Sequence, residues 1–366
     1  MTSVAALFDD IPLIQSGLRG LTDGPLLIYG AGNTGKAVAK YLSISNYDVC
    51  AFIDKNSAKN SLCDGRSVLS LGEAFDLYGS KTAILIAVHN RGVDMTELVR
   101  SIEEAGFVNY YTMFDYVRNF PDDSTFRYFL ADPLKLSLEK NNADKFFSLL
   151  SDDLSRSIYL DLLKFRLYGD YNACPKPIVE NQYSPVDIPR WSNPLRLIDC
   201  GAYNGDSIRL FKNYQYEIES VIAFEPDLSN YHDLVKNNEC PNGVFLPCGV
   251  SNTAKMVQFS SDAGEACRAS IDGSITIQML SIDEAFPGLA PNLIKMDIEG
   301  GEREAILGAQ ATIKKYRPGL AVSAYHLPAD LWQLGLLICE IDANYHFYMR
   351  SHAYSSFDTV LYAVPK

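Results

Sequence analysis

Three observations predict an α/β fold with two doubly wound, mostly parallel sheets. Short apolar runs alternate with helically spaced ones along most of the chain. Two of these runs lead straight into glycine-bearing loops, Gly30-Ala31-Gly32-Asn33-Thr34-Gly35 and Gly201-Ala202-Tyr203-Asn204-Gly205. After each loop and its helix, the next apolar run closes on an acid, Asp54 or Glu225. Strand, glycine loop, helix, strand, acid opens a nucleotide-binding α/β unit, so both sheets are expected to be Rossmann-like.

In chain order, residues 1–24 read as a short helix through Val4, Leu7, Phe8, Ile11 and Ile14. Leu26–Tyr29 is a strand, and a helix runs from about Lys36 to Ser43 with Val38, Ala39 and Leu42 inward. Val49–Ile53 is the next strand and ends at Asp54, nineteen residues after Gly35. A third strand, Ala83–Val88, ends at His89; a helix (Met95 to Ala105) and a short strand near Tyr110–Thr112 complete a domain over residues 1–120. Its glycines let backbone N–H groups approach a pyrophosphate, and Asp54 is placed to accept from ribose hydroxyls. Gly30, Gly32, Gly35 and Asp54 are therefore a candidate second nucleotide site. A nucleotide fold that has lost its ligand, and now packs or dimerises, stays open beside that reading.

Residues 121–190 read as a helical and Pro-rich connector. Ser148 to Tyr168 has the spacing of one or two amphipathic helices, and five prolines follow between Asn172 and Pro194. Ile178, Val179, Tyr183, Val186, Ile188 and Trp191 are too apolar for a disordered linker, so the connector is expected to be ordered. Over residues 191–366 the alternation resumes. Strands are expected at Leu195–Cys200, Val221–Glu225, Val244–Cys248, Leu293–Asp297 and Leu320–Tyr325. Helices fall near Ser207–Asn213, Leu228–Asn237, Glu302–Lys314 and Ala329–Cys339. Tyr345–Arg350 and Asp358–Val364 close the sheet as an antiparallel hairpin.

The net charge of −13 argues against nucleic acid or an anionic membrane surface as partner, since each needs a basic face. No pair of the eight cysteines has C-x-x-C spacing. Met1 to Gly20 carries Asp9 and Asp10 and lacks the basic start of a signal peptide, and the apolar runs are too short to span a bilayer. A cytoplasmic setting is the default expectation; homo-oligomerisation is left open.

The two loops want different ligands. The first follows the uncharged Ile28-Tyr29 and takes a pyrophosphate without repulsion. The second has Asp199 at the strand end and Asp206 at the helix start, which oppose a phosphate and suit a cationic ligand. S-adenosylmethionine has a sulfonium, an amino group and no phosphate, and Glu225 is placed to accept from its ribose hydroxyls.

From about Leu195 onward the chain resembles the FkbM-type family of S-adenosylmethionine-dependent methyltransferases. The resemblance rests on Asp199-Cys200-Gly201-Ala202, Phe224-Glu225-Pro226, Gly249-Val250-Ser251, Ile282-Asp283-Glu284 and above all Ile294-Lys295-Met296-Asp297-Ile298-Glu299-Gly300-Gly301-Glu302. The lead-in with Asn181-Gln182-Tyr183 is similar to that of longer members, and Gly301 stands where many have Ala. The resemblance implies a class I methyltransferase fold and methyl transfer to a hydroxyl of a sugar, glycan or related natural product. The cofactor residues it implies are Asp199, Gly201, Ala202, Tyr203, Gly205, Asp206, Glu225, Pro226, Ser251 and Asp297. The N-terminal unit, separately, resembles the nucleotide-binding domain that precedes some nucleotide-sugar-modifying enzymes.

For the chemistry, Asp297 closes a strand at the carboxyl edge, where α/β ligands sit, and is expected to border the methyl group, orient the acceptor or bind a metal; the alternative is that it caps the following helix, whose first turn also holds Glu299 and Glu302. His326 follows the strand Ala321–Tyr325 at the same edge and is a candidate base, by virtue of an ordinary pKa near neutrality. Asp297, Glu299 and His326 would also suit a divalent ion, but the spacing is not diagnostic and no metal is predicted. Tyr203, Tyr325 and Trp332 are alternatives for a sugar platform or for core. Two other function classes stay open: an NAD(P)-binding oxidoreductase-type module using the N-terminal loop, and a non-catalytic nucleotide-binding protein. The acceptor itself is not readable; its specificity is expected to lie in the connector and in loops such as Ser260 to Ser274.

Overall fold

The computed structural model describes residues 4–11, 24–58, 61–121, 123, 128–237, 240, 242–260, 268–269 and 275–366. The chain divides into two compact units. The first comprises Met1–Asn141, Leu160–Pro177 and Ala353–Phe357; the second comprises Asn142–Tyr159, Ile178–His352 and Asp358–Lys366. The stretch 121–190 is thus shared between them. No helix among the described residues is long and apolar enough to cross a membrane.

In the first unit, β1 (Leu26–Tyr29), β2 (Val49–Ile53), β3 (Leu62–Cys63), β4 (Arg66–Leu69), β5 (Ala83–Ile86) and β6 (Tyr110–Tyr111) form one sheet. Its order is β3-β4-β2-β1-β5-β6, parallel except for the β3–β4 pair. All four residues of β1 and of β5 are buried, as suits central strands covered on both faces. The helix after the glycine loop runs Asn33–Ile44 and begins inside that loop, three residues before its expected start. The β3–β4 hairpin was not expected, although Asp64-Gly65, both at positive φ (49° and 76°), is a strong two-residue hairpin signal. The helix Leu71–Tyr78 was also missed, with its capping box between Ser70 and Glu73. The N-terminal helix runs Val4–Asp9; Ile14 lies outside the described residues.

In the second unit the main sheet is built from β7 (Leu195–Cys200), β8 (Ile218–Phe224), β9 (Gly243–Leu246), and four later strands. Between these come β10 (Gly249–Val250), β11 (Lys255–Ser260), β12 (Arg268–Ala269) and β13 (Ile275–Leu280). The later strands are β14 (Leu293–Met296), β15 (Gly319–Ser323), β16 (Tyr345–Ser351) and β17 (Thr359–Pro365). The order is β16-β17-β15-β14-β7-β8-β9. β7, β8, β9, β14 and β15 are parallel, and β17 runs antiparallel to both β15 and β16. The closing hairpin is as expected. Two departures have physical causes. Glu302–Lys314 is two helices, Glu302–Leu307 and Gln310–Tyr316, because the chain passes tight against Ser251 at Gly308, where an added Cβ would lie 2.1 Å from the Ser251 carbonyl oxygen. A second sheet, β10-β13-β11-β12, fills the stretch between β9 and β14. Its strands are short or half-exposed, so their apolar pattern is faint. Of the Ser260 to Ser274 loop, most lies outside the described residues.

Arg350 anchors the outer strand β16. It is fully buried, and its guanidinium reaches Asp152 at 2.7 Å, Asp187 at 2.8 Å and Ser155 Oγ at 2.8 Å. The sheet core gathers Leu197, Val221, Ala223, Leu293, Ala321 and Tyr362, with Trp191 packed among them.

Candidate active site

The parallel register brings the ends of β7, β8, β14 and β15 to one carboxyl edge of the second unit. Loops leaving that edge carry most of the residues singled out from the sequence. The closest approach is between Gly201 and Asp297: a Cβ at Gly201 would lie 1.9 Å from the Asp297 carbonyl oxygen, and Gly201 has φ +80°. Only glycine fits there. Gly201 and Ala202 both donate N–H to the Phe224 carbonyl at 3.0 Å, which folds the loop across β8. Tyr203 then sits at φ 47° and Gly205 at φ 83°, and the helix Asp206–Asn213 starts.

Glu225 ties two loops together. Its Oε2 accepts the Tyr203 N–H at 2.8 Å and its Oε1 the Asp227 N–H at 2.9 Å. The Asn230 side chain also bonds to this carboxylate, which leaves it part of its acceptor capacity for a ligand hydroxyl. Burial pushes its carboxyl pKa up, against the pull of those backbone bonds. Pro226 follows, partly exposed; Asp206 is exposed, with one oxygen bonded to the Ser207 N–H. Ser251 directly follows β10. It is buried, its N–H bonded to the Leu280 carbonyl and its hydroxyl 3.3 Å from Asn252 Oδ1.

Asp199 is less available than its sequence position suggested. It is 0% exposed, and Lys295 Nζ lies 3.1 Å from its Oδ1. The same ammonium donates to the Gly201 carbonyl at 2.6 Å. Burial lifts the Asp199 carboxyl to about 6, with Lys295 pulling it down. Burial works against the charged form of Lys295, but Asp199 and its neighbours outweigh that and raise its pKa, so it stays cationic. One of the two carboxylates counted as facing a ligand is therefore paired inside the protein. From sequence, Lys295 could face either solvent or a carboxylate; in the structure it is buried against the carboxylate.

Asp297 follows β14 with its side chain 24% exposed. Its Oδ2 accepts from the Tyr183 hydroxyl at 2.8 Å, and Oδ1 lies 3.5 Å from the Tyr325 hydroxyl. Burial acts to raise its pKa, yet Lys295, His326 and the Tyr183 hydroxyl hold the carboxyl below the usual carboxylate range. Tyr183 had no role in the sequence reading. It is buried at φ 67°, its carbonyl takes the Trp191 indole N–H at 2.6 Å, and the Lys295 ammonium lies 5.3 Å from its ring centre.

His326 is 2% exposed and ringed by acids. Nδ1 meets Glu302 Oε1 at 2.8 Å; Nε2 lies 3.5 Å from Asp297 Oδ1 and 3.6 Å from Glu299 Oε2. Burial alone would lower its pKa, but Glu302, Glu299 and Asp297 push it up to about 10. The ring is then an imidazolium at neutral pH and has no lone pair for a substrate proton, so these surroundings do not support the base expected from an ordinary histidine. Glu302, read from sequence as a helix-capping acid, is 1% exposed and also accepts the Ile298 N–H at 2.8 Å. Asp297, Glu302 and His326 bring donor atoms within 4.8 Å of one another, a geometry able to hold a metal ion. Trp332 is 1% exposed and belongs to the core; Tyr325 is buried, and Tyr203 is exposed.

At the first unit's glycine loop, Asp54 turns inward on the loop itself. Its Oδ2 accepts the Ala31 N–H at 3.0 Å and its Oδ1 the Asn56 N–H at 2.9 Å. Gly35 packs against Gly30, where an added Cβ would meet the Gly30 carbonyl oxygen at 1.8 Å. Gly32 is the helix N-cap.

Residues 199–356 match the model of the Methyltransferase FkbM domain. The crystal structure of an FkbM methyltransferase from Methylobacillus flagellatus superposes with a TM-score of 0.77, over 99% of this chain and 100% of that one, at 23% identity. At that identity the likeness speaks for the fold. A hexuronic acid methyltransferase, AglP of Haloferax volcanii, is 31% identical over 97 residues, which are 24% of this chain and 41% of that protein. The chain thus matches less than half the length of that relative.

Proposed function

We propose that the region 199–356, which matches the Methyltransferase FkbM domain, moves a methyl group from S-adenosylmethionine to a hydroxyl of a sugar, glycan or related polyol. The observation that carries the cofactor assignment is Glu225. It is a buried carboxylate at the carboxyl edge, fixed by two backbone N–H groups and the Asn230 side chain, and it would offer its remaining acceptor capacity to a ribose hydroxyl. The loop 201–206 contains no lysine or arginine, and Lys295 is engaged by Asp199, so the site suits a ligand without phosphate.

Gly201, Ala202, Tyr203 and Gly205 would line the cofactor, with Asp206 and Pro226 at its rim. Asp199 would act through Lys295 and the Gly201 carbonyl, as a positioning residue. Ser251 would contribute from β10. Bound there, the cofactor supplies an electrophilic sulfonium methyl. What the chain must add is an acceptor oxygen held in line at about 3 Å and relieved of its proton. Asp297, ionised and partly exposed, would take that role. The sugar acceptor draws support from the name of the matched relative from Haloferax volcanii.

Calorimetric titration with S-adenosylmethionine tests the reading. Binding is expected in the unaltered chain and is expected to be lost in Glu225→Ala. A response to NAD(H) alone, lost in Asp54→Ala, would overturn it in favour of an oxidoreductase-type module. Labelled-methyl transfer to hexuronic acids and other sugars then reads the acceptor.

A further inference from the structure

We propose that Asp297, Glu302 and His326, with Glu299 at the rim, bind a single divalent metal ion. Three carboxylates meet one imidazole here, in a place where at most 24% of any of these side chains is exposed. Even a protonated ring leaves the group with two uncompensated negative charges, and a divalent ion would displace the Nε2 proton and take its place. Lys295 offsets part of this at Asp297, but its ammonium is engaged by Asp199 and the Gly201 carbonyl. Buried charge that is not matched is costly, and a divalent ion matches it.

A separate observation points the same way. Glu302 is 1% exposed, and although its Oε1 accepts two hydrogen bonds, its Oε2 is buried and accepts none. A buried carboxylate oxygen left bare is expensive unless something charged comes to it. The distances fit an ion as well. Nε2 to Asp297 at 3.5 Å and to Glu299 at 3.6 Å exceed the roughly 2.7–2.9 Å of a charge-assisted hydrogen bond. They suit neighbouring ligands in a coordination shell of about 2.0–2.2 Å radius. The local chain path serves this grouping. Glu299 and Gly300 both take positive φ (56° and 100°), which turns three acids of one short segment toward one ring.

Several carboxylate oxygens with one imidazole and no thiolate form a hard-to-borderline set, the kind that takes Mn²⁺ or Mg²⁺. Resting on the proposed methyl transfer, the ion would hold the acceptor hydroxyl beside Asp297 and make its proton easier to lose.

The test uses the full chain, stripped with chelator and titrated with MnCl₂ while free Mn²⁺ is followed by electron paramagnetic resonance. One ion per chain is expected. Asp297→Asn and Glu299→Gln are each expected to weaken it about 10–100-fold, with unchanged circular dichroism showing that they fold. No binding by the unaltered chain overturns the site, and so does equal binding by both variants. S-adenosylmethionine titration of the same samples separates the two readings. Cofactor binding without Mn²⁺ binding sinks the metal site alone; Mn²⁺ binding without cofactor binding sinks the methyl-transfer reading alone.

Discussion

Lys295 and Asp199 are 2% and 0% exposed and 3.1 Å apart, so neither charge has water to fall back on. Removing one partner strands the other. Lys295→Met is expected to cost about 3–5 kcal/mol in urea denaturation. Adding Asp199→Leu should recover much of it, since paired apolar replacements restore balance. If the double variant is no better than the single one, the pair is not what stabilises the strand ends. Tyr183→Phe removes the donor to Asp297 Oδ2 and is expected to cost about 1.5–3 kcal/mol, read the same way. These residues divide by legibility. A lysine inside an apolar strand leaves solvent or a carboxylate open as its partner, and Asp199, Glu225 and Asp297 declare themselves by ending strands. Tyr183 shows only as part of the Asn181-Gln182-Tyr183 lead-in: it arrives from a segment without periodicity, and its contact with Asp297 spans 114 residues of sequence. His326 was located correctly at the edge, but its charge state depends on three acids that only folding gathers.

Among the elements, the glycine turn after β7 carries the tightest constraint. Gly201→Ala would press a methyl into the Asp297 carbonyl, 1.9 Å away, from a backbone at φ +80°. The expected loss is at least about 2–3 kcal/mol, with cofactor affinity falling further than stability, because β7 and β14 would part at the loop. Calorimetry on Gly201→Ala would show the reverse if the loop were merely structural. Buried parallel strands were easy to find, since two covered faces leave continuous apolar runs. Short edge elements were harder. β3 and β4 are two and four residues long, and only Asp64-Gly65 marks them. The sheet β10-β13-β11-β12 alternates too weakly to separate from loop.

For the molecule as a whole, pH is the simplest probe. His352 is buried and neutral, Nδ1 on the Ile178 carbonyl at 2.7 Å and Nε2 on the Tyr362 hydroxyl at 2.8 Å. Burial lowers its pKa from 6.5 to about 4. The unfolded ring takes a proton near 6.5 while the folded one refuses it. Stability is therefore present above 6.5 and drains away as pH falls toward 4, by roughly 3 kcal/mol. Both tryptophans, Trp191 and Trp332, lie in the second unit, so their fluorescence reports its melting. Urea midpoints by fluorescence should fall between pH 7 and pH 4.5, and less so in His352→Gln; equal slopes would rule the histidine out. His89, in the first unit and lowered by burial to about 3, should act in the same direction there.

The division of the chain between the units has a consequence for synthesis. Residues 353–357 belong to the first unit, while 142–159 belong to the second. A ribosome that has made the first 141 residues has not yet made all of the unit they belong to. Neither unit is whole until residue 357 has left the exit tunnel, so folding of the two must finish late and nearly together. A fragment beginning at 191 would leave Asp152, Ser155 and Asp187 behind and strip Arg350 of three of its partners.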